Sequence, residues 1–352
     1  MKILILGGTG AVGKNMVDLL SNTDNEIVIT SRTKRESHQN VRYIEGNAKS
    51  TLFITNILEE YWDVIIDFMV YTTLEFTERV ILLLNATSQY IFLSSARVYA
   101  NSKGSIKETS PRLLDISTDQ EFLSSDEYSL TKARQENLLK ESGRSNWTII
   151  RPYITYSSQR LQLGVFEKES WLYRALKRRT IVFASDIHSK LTTMTSGLDV
   201  AKGIITIIGN RYTLGETFNI TSTRSILWSD VLNIYLNVLE NHLGSRPKLL
   251  LDNIENFHSY YAAKYQINYD RLFNREFDNS KISKYVNVES FISSENGLKE
   301  CLEDFLKNPI FKGIDWRAEA LKDRRTKEIA KLSEISGFKQ KIKYLLYRFL
   351  IN

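Results

Sequence analysis

The feature that most restricts this chain is Gly7-Gly8-Thr9-Gly10-Ala11-Val12-Gly13, which stops an apolar run over residues 4–6. Val12, Met16, Leu19 and Leu20 then recur at helical spacing, so the glycines stand between a strand and a helix. Glycine in that place lets the backbone come close to a diphosphate, and the helix N-terminus offers unpaired N–H groups at the positive end of its dipole. The pattern predicts a dinucleotide cradle contacted by Gly7, Thr9, Gly10, Ala11, Val12 and Gly13. The bland alternative is a glycine-rich turn with no ligand.

Apolar runs over 26–30, 41–45, 64–68, 90–94 and 147–151 follow, alternating with helical patterns over 52–61 and 76–84. Strands that lack period-two alternation and alternate with helices indicate a parallel sheet covered on both faces. The expected fold is α/β, a Rossmann-type doubly wound parallel sheet with a smaller, mostly C-terminal substrate lobe. Beyond Pro152 the pattern loosens to helices over 166–177 and 228–239 and a short strand over 217–220. The expected division is 1–156, joined by parts of 192–225, as the nucleotide-binding domain. Segments 157–191 and 226–311 form the substrate lobe, and 312–352 a basic amphipathic helical tail.

At 352 residues the chain exceeds the roughly 100–200 of one ordinary domain, and 42% hydrophobic with 25% charged residues is globular composition. A lone Cys301 excludes an internal disulfide framework, and His38, His188, His242 and His258 are not at metal-ligand spacing, so no metal is expected. No apolar run reaches the roughly 18–20 residues that span a bilayer, and the apolar N-terminus meets glycines instead of a cleavage pattern. A reducing, cytoplasmic setting is expected.

The net charge of +6 is a property of the tail, where 312–352 holds eleven Lys/Arg against five Asp/Glu. The body is near neutral and the tail has no recognised nucleic-acid motif, so no nucleic-acid partner is expected. Leu321, Ile329, Leu332, Ile335, Phe338, Ile342, Leu345, Leu346 and Phe349 punctuate the charge, many at steps of three or four, which makes one or two amphipathic helices. They dock on the body or on a second copy in a homodimer; the other reading is weak contact with an anionic membrane surface, a peripheral position at its inner face.

At the end of the second strand, a chain that binds NAD places an acid for the ribose 2′-hydroxyl. Here Thr30-Ser31-Arg32 is followed by Lys34 and Arg35, with no acid before Glu36. Ser31 and Arg32 suit a 2′-phosphate, since guanidinium makes charge-assisted hydrogen bonds to phosphate. NADP is favoured as cofactor, with NAD the alternative.

Ser94-Ser95-Ala96-Arg97-Val98-Tyr99 follows the fifth strand, and Tyr128-Ser129-Leu130-Thr131-Lys132 comes some thirty residues on. Together with Gly7, Gly10 and Gly13, Asp63-Val64-Ile65-Ile66-Asp67-Phe68, Arg151-Pro152, Asp199-Val200-Ala201 and Gly215-Glu216-Thr217-Phe218-Asn219-Ile220, they make the chain resemble the extended short-chain dehydrogenase/reductase family over roughly residues 1–310. That family includes nucleotide-sugar epimerases, dehydratases and 4-ketoreductases. The resemblance implies that Tyr128 moves the proton at the substrate oxygen, that Lys132 also holds the nicotinamide ribose, and that Ser95 hydrogen-bonds the same oxygen. It also implies cofactor contacts from Phe68, Met69 and Pro152, and from Asn47 where the family has an adenine-contacting aspartate. Tyr128 and Lys132, four apart, share a helix face. A neighbouring ammonium favours the phenolate of a group that otherwise titrates near pH ~10. Ser94 reads as a packing or cofactor contact and Glu136 as a helix anchor.

Two positions depart from the galactose epimerases. Ile154 stands where they have an asparagine on the substrate diphosphate, and Thr192 where a basic residue is usual, leaving Arg160, Arg178 or Lys190 as counter-charge. The implied reaction is NADP-dependent reduction of a nucleotide-linked 4-keto-(6-deoxy)hexose such as a dTDP-4-keto-6-deoxyhexose. The alternatives are a redox-neutral epimerase that retains NAD, and a non-catalytic NADP-sensing or RNA-binding relative.

Overall fold

The computed structural model describes residues 1–261 and 263–351. The chain divides into two units, one of Met1–Thr155, Thr193–Arg224 and Arg275–Ile292, the other of Tyr156–Thr192, Ser225–Asn274 and Ser293–Asn352.

In the first unit, β1 (Lys2–Leu6), β2 (Glu26–Ser31), β3 (Val41–Glu45), β4 (Trp62–Asp67), β5 (Thr87–Leu93), β6 (Trp147–Pro152) and a seventh strand, Glu216–Ile220, form one parallel sheet. Their order is seventh–β6–β5–β4–β1–β2–β3. The direction of winding reverses between β1 and β4, which opens a crevice at the carboxyl ends of those two strands. Alternate side chains feed two cores: Ile3, Ile5, Ile27, Ile29 and Val64 lie on one face, Leu4, Leu6, Val28 and Ile65 on the other. Helix α1 (Ala11–Leu20) and the helix Gly197–Ile205 supply Val12, Met16, Val200 and Ile204 to the first core. The helices Thr51–Ile57 and Val80–Asn85 supply Ile54, Leu83 and Leu84 to the second. Away from the edge strand β3, whose Arg42 and Glu45 are exposed, both faces are dry, which is why the inner strands read as apolar runs.

One helix is expected over 76–84, but two form, Thr73–Thr77 and Val80–Asn85. A capping box between Thr72 and Glu75 starts the first, and Arg79 breaks the run by turning its buried side chain onto the Glu75 carbonyl and toward the carbonyls of Ala48 and Lys49. Segment 275–292, grouped with the second lobe by sequence pattern, lies in the first unit. Asn279 accepts from Thr221 N–H (3.3 Å) and donates to Thr221 O (3.0 Å), and Ile282 and Val288 enter the first core.

The second unit contains the helices Lys168–Leu176, Trp228–Leu243 and Ser294–Lys307, and a parallel pair of strands, Ile181–Ala184 with Leu249–Asp252. The tail belongs to this unit as two helices, Trp316–Thr326 and Phe338–Leu345. Trp316, Ala320, Ala330, Ile335 and Tyr344 close an apolar cluster over Tyr173. Beneath it Arg174, fully buried, donates to Glu319 (2.9 Å), Asp323 (2.7 Å) and Glu328 (3.2 Å). Tyr344 donates to Asp323 (2.6 Å), and Arg325 forks onto Asp252 (3.0 Å on both nitrogens). Among the described residues no helix is long and apolar enough to cross a membrane.

Candidate active site

The glycine turn leaves β1 at the crevice. Gly7 has φ +74, a left-handed conformation that favours glycine, and a β-carbon there would also push on the Met69 sulfur at 2.9 Å. Its N–H donates to Thr30 Oγ1 (3.3 Å), while Phe68 N–H donates to Leu6 O (2.9 Å), which pins the ends of β1 and β4 together. Gly13 lets α1 lie on the turn, since a β-carbon would fall 2.6 Å from the Gly8 carbonyl carbon. Gly10 is the N-cap residue, α1 has no side-chain cap and no acid in its first turn, and nothing lies within 4 Å of a β-carbon placed at Gly10. An open helix start of this kind fits a dinucleotide diphosphate.

At the end of β2, Ser31 is buried and Arg32 exposed. Ser31 donates to Thr33 O (2.8 Å) and accepts from Arg35 Nε (3.3 Å), so Arg35, which sequence reasoning does not single out, is the cation at this hydroxyl. Asn47 is exposed and its side-chain oxygen accepts from Lys49 N–H (3.1 Å).

Tyr128 opens the helix Tyr128–Lys140, which is capped by Glu127 accepting from Ser129 N–H. Glu127 also pairs with Arg97, whose guanidinium lies 5.2 Å from the Tyr128 ring centroid. Lys132, one turn on, is buried and donates to Leu93 O (2.8 Å), with its ammonium over the Phe92 ring. Burial pushes its amine down to about 8, against the opposing pull of Asp67 and Glu136. Asp67 is also buried, and burial raises its carboxyl although Met69 N–H and Tyr90 Oη donate to it (both 2.8 Å). Ser95 caps the short turn Ala96–Val98 by accepting from Arg97 N–H (3.2 Å), which leaves its O–H free to donate.

Beneath these residues is a buried polar network. Ser94 donates to Glu136 (2.6 Å), Arg151 Nε donates to Glu136 (2.7 Å) and Nη1 to Tyr99 Oη (2.7 Å), and Tyr99 in turn donates to Asn219 (2.8 Å). Burial alone would raise the Glu136 carboxyl, but the Arg151 guanidinium, with Ser94 and Arg112, holds it below the usual carboxylate range. Burial pushes the Tyr99 phenol up to about 12, so it stays a neutral donor. Tyr99, Arg112 and Asn219 are the members that sequence reasoning misses. A lone arginine at the end of the apolar run 147–151, and Glu136 two turns beyond Tyr128, are the signals that point to a buried pair.

Pro152 ends β6, and Ile154 follows with φ +24 and a buried side chain. A β-branched residue in that region is strained. Its buried side chain presents no polar group at the end of β6.

The sequence pattern of the NAD dependent epimerase/dehydratase family matches residues 3–221. The chain belongs to that family. No curated protein matches it. Among solved structures, it is similar to an epimerase from Methanothermobacter thermautotrophicus (TM-score 0.67, 14% identity, 87% of this chain and 92% of that one). It is also similar to UDP-glucuronic acid 4-epimerase from Bacillus cereus in complex with UDP-glucuronic acid and NAD (0.66, 17%, 88% and 100%). A third is dTDP-glucose 4,6-dehydratase from Bacillus anthracis in complex with NAD (0.65, 16%, 88% and 97%). At these identities the likeness establishes the fold, a seven-stranded Rossmann sheet.

Proposed function

We propose that this protein is an oxidoreductase of a nucleotide-linked sugar, with Tyr128, Lys132 and Ser95 as its catalytic residues. The observation that carries the reading is the fixed ammonium of Lys132 one turn from Tyr128, next to a strand end where Ser95 retains a free O–H. The glycine turn, Ser31, Arg32, Asn47, Phe68, Met69 and Pro152 would hold a nicotinamide dinucleotide, which supplies hydride transfer when bound. Tyr128 gives its hydroxyl proton to the oxygen of the keto carbon as that carbon becomes a carbinol, and is reprotonated from solvent. Ser95 donates a hydrogen bond to the same oxygen throughout, and Lys132 favours the transient phenolate.

Within that class, NADPH-dependent reduction of a 4-keto-6-deoxyhexose linked to dTDP is the proposed reaction. The support is the cationic end of β2, where Ser31, Arg32 and Arg35 precede any acid, and the apolar Ile154. A reductase exchanges its cofactor each turnover, whereas an epimerase returns hydride to the same sugar and keeps NAD. The second reading, an NAD-retaining nucleotide-sugar epimerase, is favoured by the family's description and by the NAD in the 4-epimerase and dehydratase structures. Stoichiometry separates them: with such a keto sugar one NADPH disappears per product, and interconversion of two sugars without net NADPH loss installs the epimerase. In either case Tyr128→Phe lowers turnover by ~10²–10⁴-fold while the melting temperature holds. Near-normal turnover moves the chemistry away from Tyr128.

A further inference from the structure

The second tail helix has a buried side and an exposed side, and an apolar stripe runs along the exposed one. Tyr344 is buried in the unit's own core, with Leu345 and Tyr347 packed against the same cluster. On the exposed side stand Phe338 (77% exposed), Ile342 (41%), Leu346 (36%) and Phe349 (56%), at steps of four, four and three, with Leu350 (76%) beside them. Such spacing draws one stripe along the helix Phe338–Leu345 and the turn Leu346–Leu350 that continues it. Scattered single apolar residues on a surface need no explanation, but a continuous stripe of large ones does.

The charge around the stripe selects its occupant. Residues 335–351 contain Lys339, Lys341, Lys343 and Arg348 and no acidic residue. Arg348 is turned back onto the tail's own first half, donating to Glu328 O (2.9 Å). Lys339 and Lys343 are exposed, and among the described residues neither they nor Lys341 forms an ion pair. A two-fold contact with a second copy sets a patch against itself, which here brings lysine against lysine. Anionic headgroups complement it instead, and each lysine near such a surface adds to the attraction while aromatic and aliphatic side chains enter the acyl boundary.

We propose that this face seats the protein on an anionic lipid bilayer, with Phe338, Ile342, Leu346 and Phe349 inserted and Lys339 and Lys343 on the headgroups. The anchor is of the kind that lies in the interface plane, and its weak, salt-sensitive binding is part of the proposal. The test uses the full chain in flotation with vesicles of phosphatidylglycerol and phosphatidylcholine in equal parts, against vesicles of phosphatidylcholine alone. Binding to the first and not the second is expected, falling at least about tenfold in Phe338→Ser/Phe349→Ser and again in Lys339→Glu/Lys343→Glu. Both pairs are exposed, so an unchanged melting temperature certifies the fold, and either pair alone suffices if the other misfolds. No binding to either vesicle overturns the proposal, as does binding that both variants retain. Concentration-dependent self-association lost in the phenylalanine variant, without vesicle binding, overturns it in favour of a second copy.

Discussion

Each unit pairs a buried arginine with acid, one carboxylate in the first and three in the second, but the two clusters join very different lengths of chain. In the first, Arg151 and Glu136 are 15 residues apart, on a strand and on the helix just before it. In the second, Arg174 meets Glu319 and Asp323 at separations of 145 and 149 residues. The short-range pair orients one helix, the one that carries Tyr128 and Lys132. The long-range cluster closes a whole unit on its own tail. Burying charge contributes little net stability when every charge is paired, yet removing one partner from such a cluster is expensive. The two clusters therefore differ less in what they add than in what their loss would release.

The largest expected effect falls on the second unit. Arg174→Met leaves Glu319 and Asp323, both essentially buried, facing each other with Arg179 and Lys322 as the cations near them. Stability in urea should fall by ~3–5 kcal/mol. A loss below ~1 kcal/mol means that water reaches the cluster, and the contrast drawn between the two units fails.

Glu136→Gln should cost less, ~1.5–3 kcal/mol, because the amide oxygen still accepts from Arg151 or Ser94 while the charge is lost. Its pH dependence gives the sharper reading. The folded carboxyl lies below its unfolded value, so its contribution is fully present above the unfolded pKa of about 4.3 and disappears as pH falls through the folded one. The gap in stability between wild type and variant should stay flat from pH 8 to 5 and close only in acid. A gap that closes near neutrality contradicts the pairing.

How much of this the amino-acid order discloses also differs between the units. The glycine turn, the strand–helix alternation, Ser95, Tyr128 and Lys132 are local patterns, and the sheet and the placement of those residues follow from them. Arg32 and Asn47 fall in exposed loops, whose contacts no spacing fixes; Arg35 takes the place at Ser31 by loop conformation alone. In the tail, periodicity discloses helices but not which side faces in. The charged helix Trp316–Thr326 buries Glu319, Lys322 and Asp323, while Phe338 and Phe349 are exposed. Amphipathicity counts apolar residues as inward, and it fails where distant arginines make a polar interior instead.

The smallest effect is a titration. Lys132 is a buried ammonium whose amine sits at about 8, well under the ~10.4 of an unfolded lysine. Below pH 8 both forms are charged, and its contribution to stability is constant. Between about 8 and ~10.4 the folded lysine has lost its proton and the unfolded one has not, so its contribution rises with pH. On the proposed mechanism, function should move the opposite way, because a neutral Lys132 would no longer favour the phenolate or a ribose contact. The kcat/KM for the nicotinamide cofactor, which reports groups in the unliganded enzyme, should fall ~tenfold per unit above pH 8. Lys132→Arg keeps its charge, so its lower kcat/KM should show no such fall. An alkaline limb that survives in that variant assigns the titration to another group, and would detach Lys132 from the chemistry proposed for it beside Tyr128.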